Sequence, residues 1–395
     1  MLKKLIIVCL INFLIAAIMG LLLRYSFINP INLNYRFLTH AHSHVAMLGW
    51  VYLILYAFIV HYFIADKKPI YTRLFWVTEI AVVGMMLSFP LQGYAAISIS
   101  FSTLHILCSY IFVYLIWKHH DAKSLVTSYL LRASLLFMII STIGVWCLGP
   151  AIGLHGKSSA FYQIAIQFFL HFQFNGWFLI ATLAIFFHQL NIQDSKLFRL
   201  FFITLIVSTV FTLALPIQWF ASHRILFWIN AVGVIMVLIA LISFLKLIKP
   251  NFHLIRKQDS TLLKILYCFT IFCLILKGLF QGLSILPEFS QVVFEHRNFV
   301  IGFIHLVMLG IITGFIFSFI LKSNVVRYTK TLSIGIYSFI IGFALTELLL
   351  LVQGYRFYFG NAMIENYYEY MFYFSIFIPL GILIIVYCTI RNSRM

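Results

Sequence analysis

Charge is what this chain has least of. Asp, Glu, Lys and Arg make up 9% of its 395 residues, against about 25% in an ordinary soluble protein. With 63% hydrophobic residues and a mean hydropathy of +1.04, a soluble globular domain is excluded. Long hydrophilic stretches and low-complexity linkers are missing as well, the largest breaks falling near 250–261 and 354–367. No soluble domain hangs from the bundle, so residues 1–395 read as one transmembrane domain whose chemistry lies within the membrane. Cysteine is sparse, and Cys9, Cys108, Cys147, Cys268, Cys273 and Cys388 all fall inside apolar runs. That placement argues against a disulfide framework and for small buried hydrophobes. Proline is scarce too: Pro90, Pro150, Pro216 and Pro379 read as lying at or near the ends of apolar runs, which weighs against broken membrane helices.

What is present is a series of apolar runs, each long enough to span at about 20 residues. Six can be counted at 4–24, 40–64, 70–90, 95–117, 127–149 and 160–189. Six more follow at 198–216, 223–248, 262–283, 297–321, 331–353 and 368–390. The expected fold is therefore all-α, a polytopic bundle of twelve transmembrane helices. The first run follows Lys3 and Lys4 but lacks the small-residue cleavage pattern of a secretory signal. The formal charge of +17 invites a nucleic-acid reading until it is mapped. Twenty of the 27 Lys and Arg residues fall on the side of the two termini and the even-numbered loops. Six fall on the other side: Arg24, Arg36, Lys157, Arg224, Arg297 and Arg356. Lys277 remains inside the ninth run. This positive-inside asymmetry puts both termini in the cytoplasm and removes any need for nucleic acid. The expected partner is membrane lipid, and the expected setting a bacterial inner membrane.

Runs 2, 4, 6, 8 and 10 cross in the same direction, and each carries a histidine in its outer part: His44, His105, His171, His223 and His305. Three share more. His44 to Gly49, His171 to Gly176 and His305 to Gly310 all read His-x-x-x-x-Gly. The first two continue with Trp50 and Trp177, and the first and third share Met-Leu before the glycine. Runs 3, 9 and 11 end in Gln92-Gly93, Gln281-Gly282 and Gln353-Gly354. Such recurrences suggest a repeated helical-hairpin unit.

Imidazole is costly to bury in hydrocarbon unless it is hydrogen-bonded or ligates a metal. Histidines at matching depth on parallel helices could ligate haem iron or hold copper. A glycine near each would admit a macrocycle or a second helix, and Arg36, Arg297 and Arg356 at the outer rim could pair with haem propionates. The bland alternative is a helix–helix hydrogen bond. His40, His61, His119, His120, His188 and His253 read as interfacial, and His155 and His223 as either. Among the other intramembrane groups, Lys277 and Glu347 read as a structural pair, with proton handling as the functional alternative, and Glu79 stays open.

These residues resemble a family. The topology, and a second run reading His42-Ser43-His44 through Leu48-Gly49-Trp50-Val51, are similar to subunit I of the haem-copper oxidases, above all its short, divergent members. The resemblance implies a low-spin haem of b type held by His44, with His42 the near alternative, and by His305 in GFIHLVMLG. It also implies a role in electron transfer or in handling oxygen or nitric oxide. An electron-donor protein or quinol and partner subunits would go with it, and a haem-dependent oxidoreductase is one form it could take. The departures are equally plain. Asn175 stands where the main oxygen-reducing branches have a tyrosine four residues after the copper ligand, the seventh run contains no histidine, and His296 and His305 are nine apart. The family's binuclear centre cannot be assembled from this set. His171, with Gln173 and Asn175, and then His105, are what is left for a second metal or substrate position. The rival expectations are a twelve-helix transporter, and a non-catalytic oxidase-like sensor or assembly component.

Overall fold

The computed structural model describes residues 1–251 and 260–391. His253, and Arg256, Lys257 and Arg394 of the inner cations, lie outside the described residues. Among those described there is no strand, and twelve helices are long and apolar enough to cross a membrane. They are α1 (Leu2–Tyr25), α2 (Tyr35–Phe63), α3 (Pro69–Gln92), α4 (Ala96–His119), α5 (Leu125–His155) and α6 (Ala160–Gln189). The rest are α7 (Lys196–Gln218), α8 (Arg224–Ile248), α9 (Thr261–Leu283), α10 (Arg297–Lys322), α11 (Lys330–Tyr358) and α12 (Tyr367–Arg391). This is the all-α polytopic membrane bundle the apolar runs predict.

Helix starts follow from local chemistry. Asn34, Ser159, Ser195, Ser260 and Thr329 each accept a backbone N–H of the first turn of α2, α6, α7, α9 and α11, satisfying donors that have no partner within the helix. A short helix at Pro287–Glu295, between α9 and α10, has no counterpart among the apolar runs. The Gln-Gly pairs do not end three helices alike. Gly93 closes α3 with φ of 62°, whereas α9 runs on to Leu283 and α11 to Tyr358.

The described chain forms two compact units, residues 1–120 with 316–395, and residues 121–315. The first holds α1 to α4, the end of α10, and α11 and α12. Here α11 and α12 lie against each other along their length, and α1 packs on α12 and on the middle of α2. Water cannot drive helices together inside lipid, so close packing and cross-helix hydrogen bonds carry association. Glycine makes that closeness possible: a Cβ at Gly381 would sit 2.5 Å from the Gly335 carbonyl oxygen and 2.7 Å from the Phe339 nitrogen. Pro379 is in the body of α12, not at its end, and the Ser338 hydroxyl of α11 donates to the nearby Phe377 carbonyl at 2.8 Å.

The second unit holds α5 to α9 and the start of α10, with α5 packed on α6 and α7 on α8. Its α7 is interrupted. Helix Lys196–Phe211 gives way to a turn and then to Ala214–Gln218. The reason is Pro216, which has no N–H to offer the Thr212 carbonyl four residues back. Leu213 N–H meanwhile turns to Val210, which releases the Thr209 carbonyl. The scarcity of proline, which weighs against broken helices, thus does not prevent one at α7.

Three helices change geometry part way across. In α2, α6 and α10 an α-helical start (Tyr35–His44, Ala160–His171, Arg297–His305) passes into a π-helical stretch (Val45–Tyr52, Phe172–Phe178, Leu306–Thr313). Each then returns to α-helix. In a π-helix each N–H reaches back five residues rather than four, and stretches longer than one turn are rare. Every one of these stretches begins on the residue after a histidine of the His-x-x-x-x-Gly repeat. The short sequence match is thus a structural repeat.

The α11–α12 contact yields a direct test. Gly381→Ala places a methyl inside contact distance of a neighbouring backbone, so it should destabilise the protein by about 1–3 kcal/mol. The thermal unfolding midpoint in detergent reads this out, and an unchanged midpoint would show that the two helices separate freely.

Candidate functional site

The three histidines at 40, 42 and 44 have three different surroundings, all within the first unit. His40 meets Tyr94 edge-on, ring centroids 4.7 Å apart. His42 turns to α1: its Nδ1 is 2.8 Å from the Ala16 carbonyl oxygen, and its ring lies over Gly20. That is the helix–helix hydrogen bond of the bland alternative. His44 faces Phe89 at 4.4 Å and Tyr94 at 5.8 Å.

The His44 ring is oriented from both sides. Its Nδ1 is 2.8 Å from the carbonyl of His40, one turn back. A carbonyl can only accept, so Nδ1 carries the proton and the lone pair belongs to Nε2. The Tyr94 hydroxyl donates to that Nε2 at a long 3.3 Å. An imidazole whose Nδ1–H is anchored on a backbone carbonyl, with Nε2 left basic, is the state in which histidine ligates a metal.

His105 of α4 lies within electrostatic reach of His44. It is 3% exposed, its ring stands edge-on to Tyr52 at 4.6 Å, and its Nε2 has no hydrogen-bond partner. A buried imidazole nitrogen without a partner is uncommon enough to require a reason.

An amide that composition does not highlight holds this helix in place. Asn12, 2% exposed in α1, donates from Nδ2 to the Gly49 carbonyl at 3.1 Å and to Glu79 Oε2 at 2.8 Å. It ties the π-helical stretch of α2 to α1 and α3. Gly49 is what allows the approach, since a Cβ there would meet Val82 at 2.8 Å and Asn12 at 3.2 Å. Gly176 is likewise covered by Phe137 of α5. At both positions the glycine admits a second helix. The sequence signal was available: Asn12 is the one amide in the body of the first apolar run.

In the second unit, the Nε2–H of His171 donates to the Thr209 carbonyl of α7 at 2.7 Å, the group released by the break in that helix. His171 thus closes a gap in a neighbour's backbone. Gln173 donates to Ser141 at 3.0 Å, and Asn175 Nδ2 reaches the His171 carbonyl at 3.4 Å. His305 is partly buried at the last α-helical residue before its π-helical stretch. His223 leaves the set of membrane imidazoles, because it precedes α8 and its Nδ1 accepts the Ile225 N–H at 3.2 Å. Arg36 and Arg297 are exposed on the first turns of α2 and α10, and Arg356 donates to the Ala362 carbonyl.

Lys277 belongs to the second unit and Glu347 to the first, and each has a partner within its own unit. Lys277 donates to Gln281 Oε1 at 2.7 Å, one turn along its own helix. Glu347 interacts electrostatically with Arg24 of α1. Among the described residues no three His, Cys, Asp or Glu side chains gather as a metal-holding group. Compared with known proteins, the chain matches no family model and no curated protein.

The Asn12 bridge can be tested without knowing the ligand. Cross-helix hydrogen bonds in membranes average about 0.6 kcal/mol and reach about 1.7. Asn12→Leu removes two, so it should destabilise by about 1–2 kcal/mol, whereas Glu79→Gln, which keeps an oxygen acceptor for Asn12, should cost less than Asn12→Leu does. Equal unfolding midpoints for wild type and Asn12→Leu would remove the bridge from the account.

Proposed function

We propose that the protein binds haem in the membrane, with His44 as an axial ligand, and acts in electron transfer or in handling a diatomic gas. The observation that supports this most directly is the His44 ring itself. Its Nδ1–H is fixed on the His40 carbonyl, and Nε2 is left as the basic nitrogen. Phe89 and Tyr94 pack beside it and would flank a flat apolar group. When bound, haem supplies one-electron chemistry whose potential depends on axial ligation and the dryness of its surroundings. The chain's own work is orientation: the His40 carbonyl sets the ring, and the Asn12 bridge sets the helix that carries it.

On the second unit, His305 stands at the equivalent place before its π-helical stretch and is the ligand candidate there. The best donors for a second metal, copper included, are His105 and His171, each in its own unit. A b-type haem, an electron-donor protein or quinol, and a bacterial inner membrane complete the reading.

Reduced-minus-oxidised visible spectra of the purified protein test it. A sharp low-spin haem band should be present in wild type and lost in His44→Ala and His305→Ala. It should survive His42→Ala, because that imidazole is bonded to α1. Protein that purifies without haem from haem-replete cells would end the proposal.

A further inference from the structure

The second unit contains a cavity of about 50 Å³ whose polar lining is lopsided. It holds Lys277 and Gln281 from α9, Asn175 from α6, and Ser208, Thr209 and Thr212 from α7, within walls of leucine and phenylalanine. The volume suits about three or four waters, or one small ion.

Counting hydrogens across this lining defines what is missing. The Ser208 and Thr209 hydroxyls both donate to the Leu205 carbonyl, at 2.9 and 2.8 Å, and Thr212 donates to the Ser208 carbonyl at 2.7 Å. All three therefore present only lone pairs to the cavity. Asn175, 9% exposed, uses Nδ2 on the His171 carbonyl, and its Oδ1 has no partner. Lys277, 6% exposed, carries three N–H groups and directs one to Gln281. Its ammonium lies 5.9 Å from the Phe303 ring centroid. Within its own unit no carboxylate pairs with it among the described residues. The cavity thus offers one cation with spare donors, and acceptors that need a hydrogen.

We propose that this cavity binds a small planar oxyanion carrying its own hydroxyl, of the bicarbonate class, with its negative oxygens on Lys277 and its hydroxyl on Asn175 Oδ1. A buried ammonium without a counter-charge is unfavourable, and an anion supplies the missing charge. A hydroxyl on that anion supplies the missing hydrogen. The cavity also lies beside the interruption of α7, and helix breaks within the membrane are where transported ions are held. The inference does not rest on the haem reading: it is carried by the cavity lining, and although Asn175 bonds the His171 carbonyl, neither Lys277 nor Asn175 is proposed as a haem ligand.

The test is calorimetric titration of the detergent-purified full chain with sodium bicarbonate in a closed cell, beside sodium chloride at equal ionic strength. Saturable bicarbonate binding is expected in wild type and within tenfold of it in Lys277→Arg. At least tenfold weakening is expected in Lys277→Met, which keeps the apolar stem and loses the charge. Asn175→Leu serves as the second variant and should also weaken binding, so the proposal stays open to refutation where Lys277→Met does not fold. Chloride should not compete. A folded wild type that binds no bicarbonate, or undiminished binding in Lys277→Met or Asn175→Leu, overturns the assignment.

Discussion

Within hydrocarbon every backbone N–H and C=O must find a partner inside the protein, and the particular features of this chain trace to that one constraint. Where Pro216 withdraws a donor, α7 breaks, and the Thr209 carbonyl it releases is met by His171 from another helix. Three times in α2, α6 and α10 the α-helical bonding pattern is traded for the π pattern, and in two of them side chains add bonds to carbonyls of the stretch. Asn12 takes the Gly49 carbonyl, and Thr313 donates to Met308 five residues earlier at 2.8 Å. Polar side chains in these helices serve first as local substitutes for water. Their chemistry is read from what remains after that service.

This priority separates the histidines. His42 and His171 are each engaged with a backbone carbonyl on a neighbouring helix. His44 is engaged with a carbonyl of its own helix through the other nitrogen, which orients the ring and leaves Nε2 basic. Depth in the membrane, which brought these imidazoles together as candidates, is a weak criterion beside the identity of the nitrogen that is occupied.

The twelve spans were legible in the sequence because hydropathy over about 20 residues measures the property that lipid selects. Helix ends shifted by a few residues, as at α11, which extends to Tyr358 beyond the apolar run. The His-x-x-x-x-Gly repeat was legible as well, although its meaning was not: nothing in composition announces a π-helix, since the change is one residue per hydrogen-bonded loop. The local partners of the buried charges were also not legible. Depth in the membrane matched Lys277 with Glu347, whereas the hydrogen bond Lys277 makes within its unit is to the glutamine one turn away on its own helix. Pro216 and Pro379 were read from their place in an apolar run, whereas their effect depends on which carbonyl stands four residues earlier.

The π-helical stretches also set how these helices can change over evolutionary time. An α-helix advances about 100° per residue, so a residue lost or gained re-aims all that follows it unless the hydrogen-bonding pattern changes with it. Elsewhere in a membrane helix such an indel would turn the apolar face toward polar neighbours along the remaining length. In α2, α6 and α10 the wide turns can absorb an extra residue by passing between the two hydrogen-bonding patterns. These stretches are therefore the chain's natural splice points, where its length can be edited while the histidine on the preceding turn keeps its bearing.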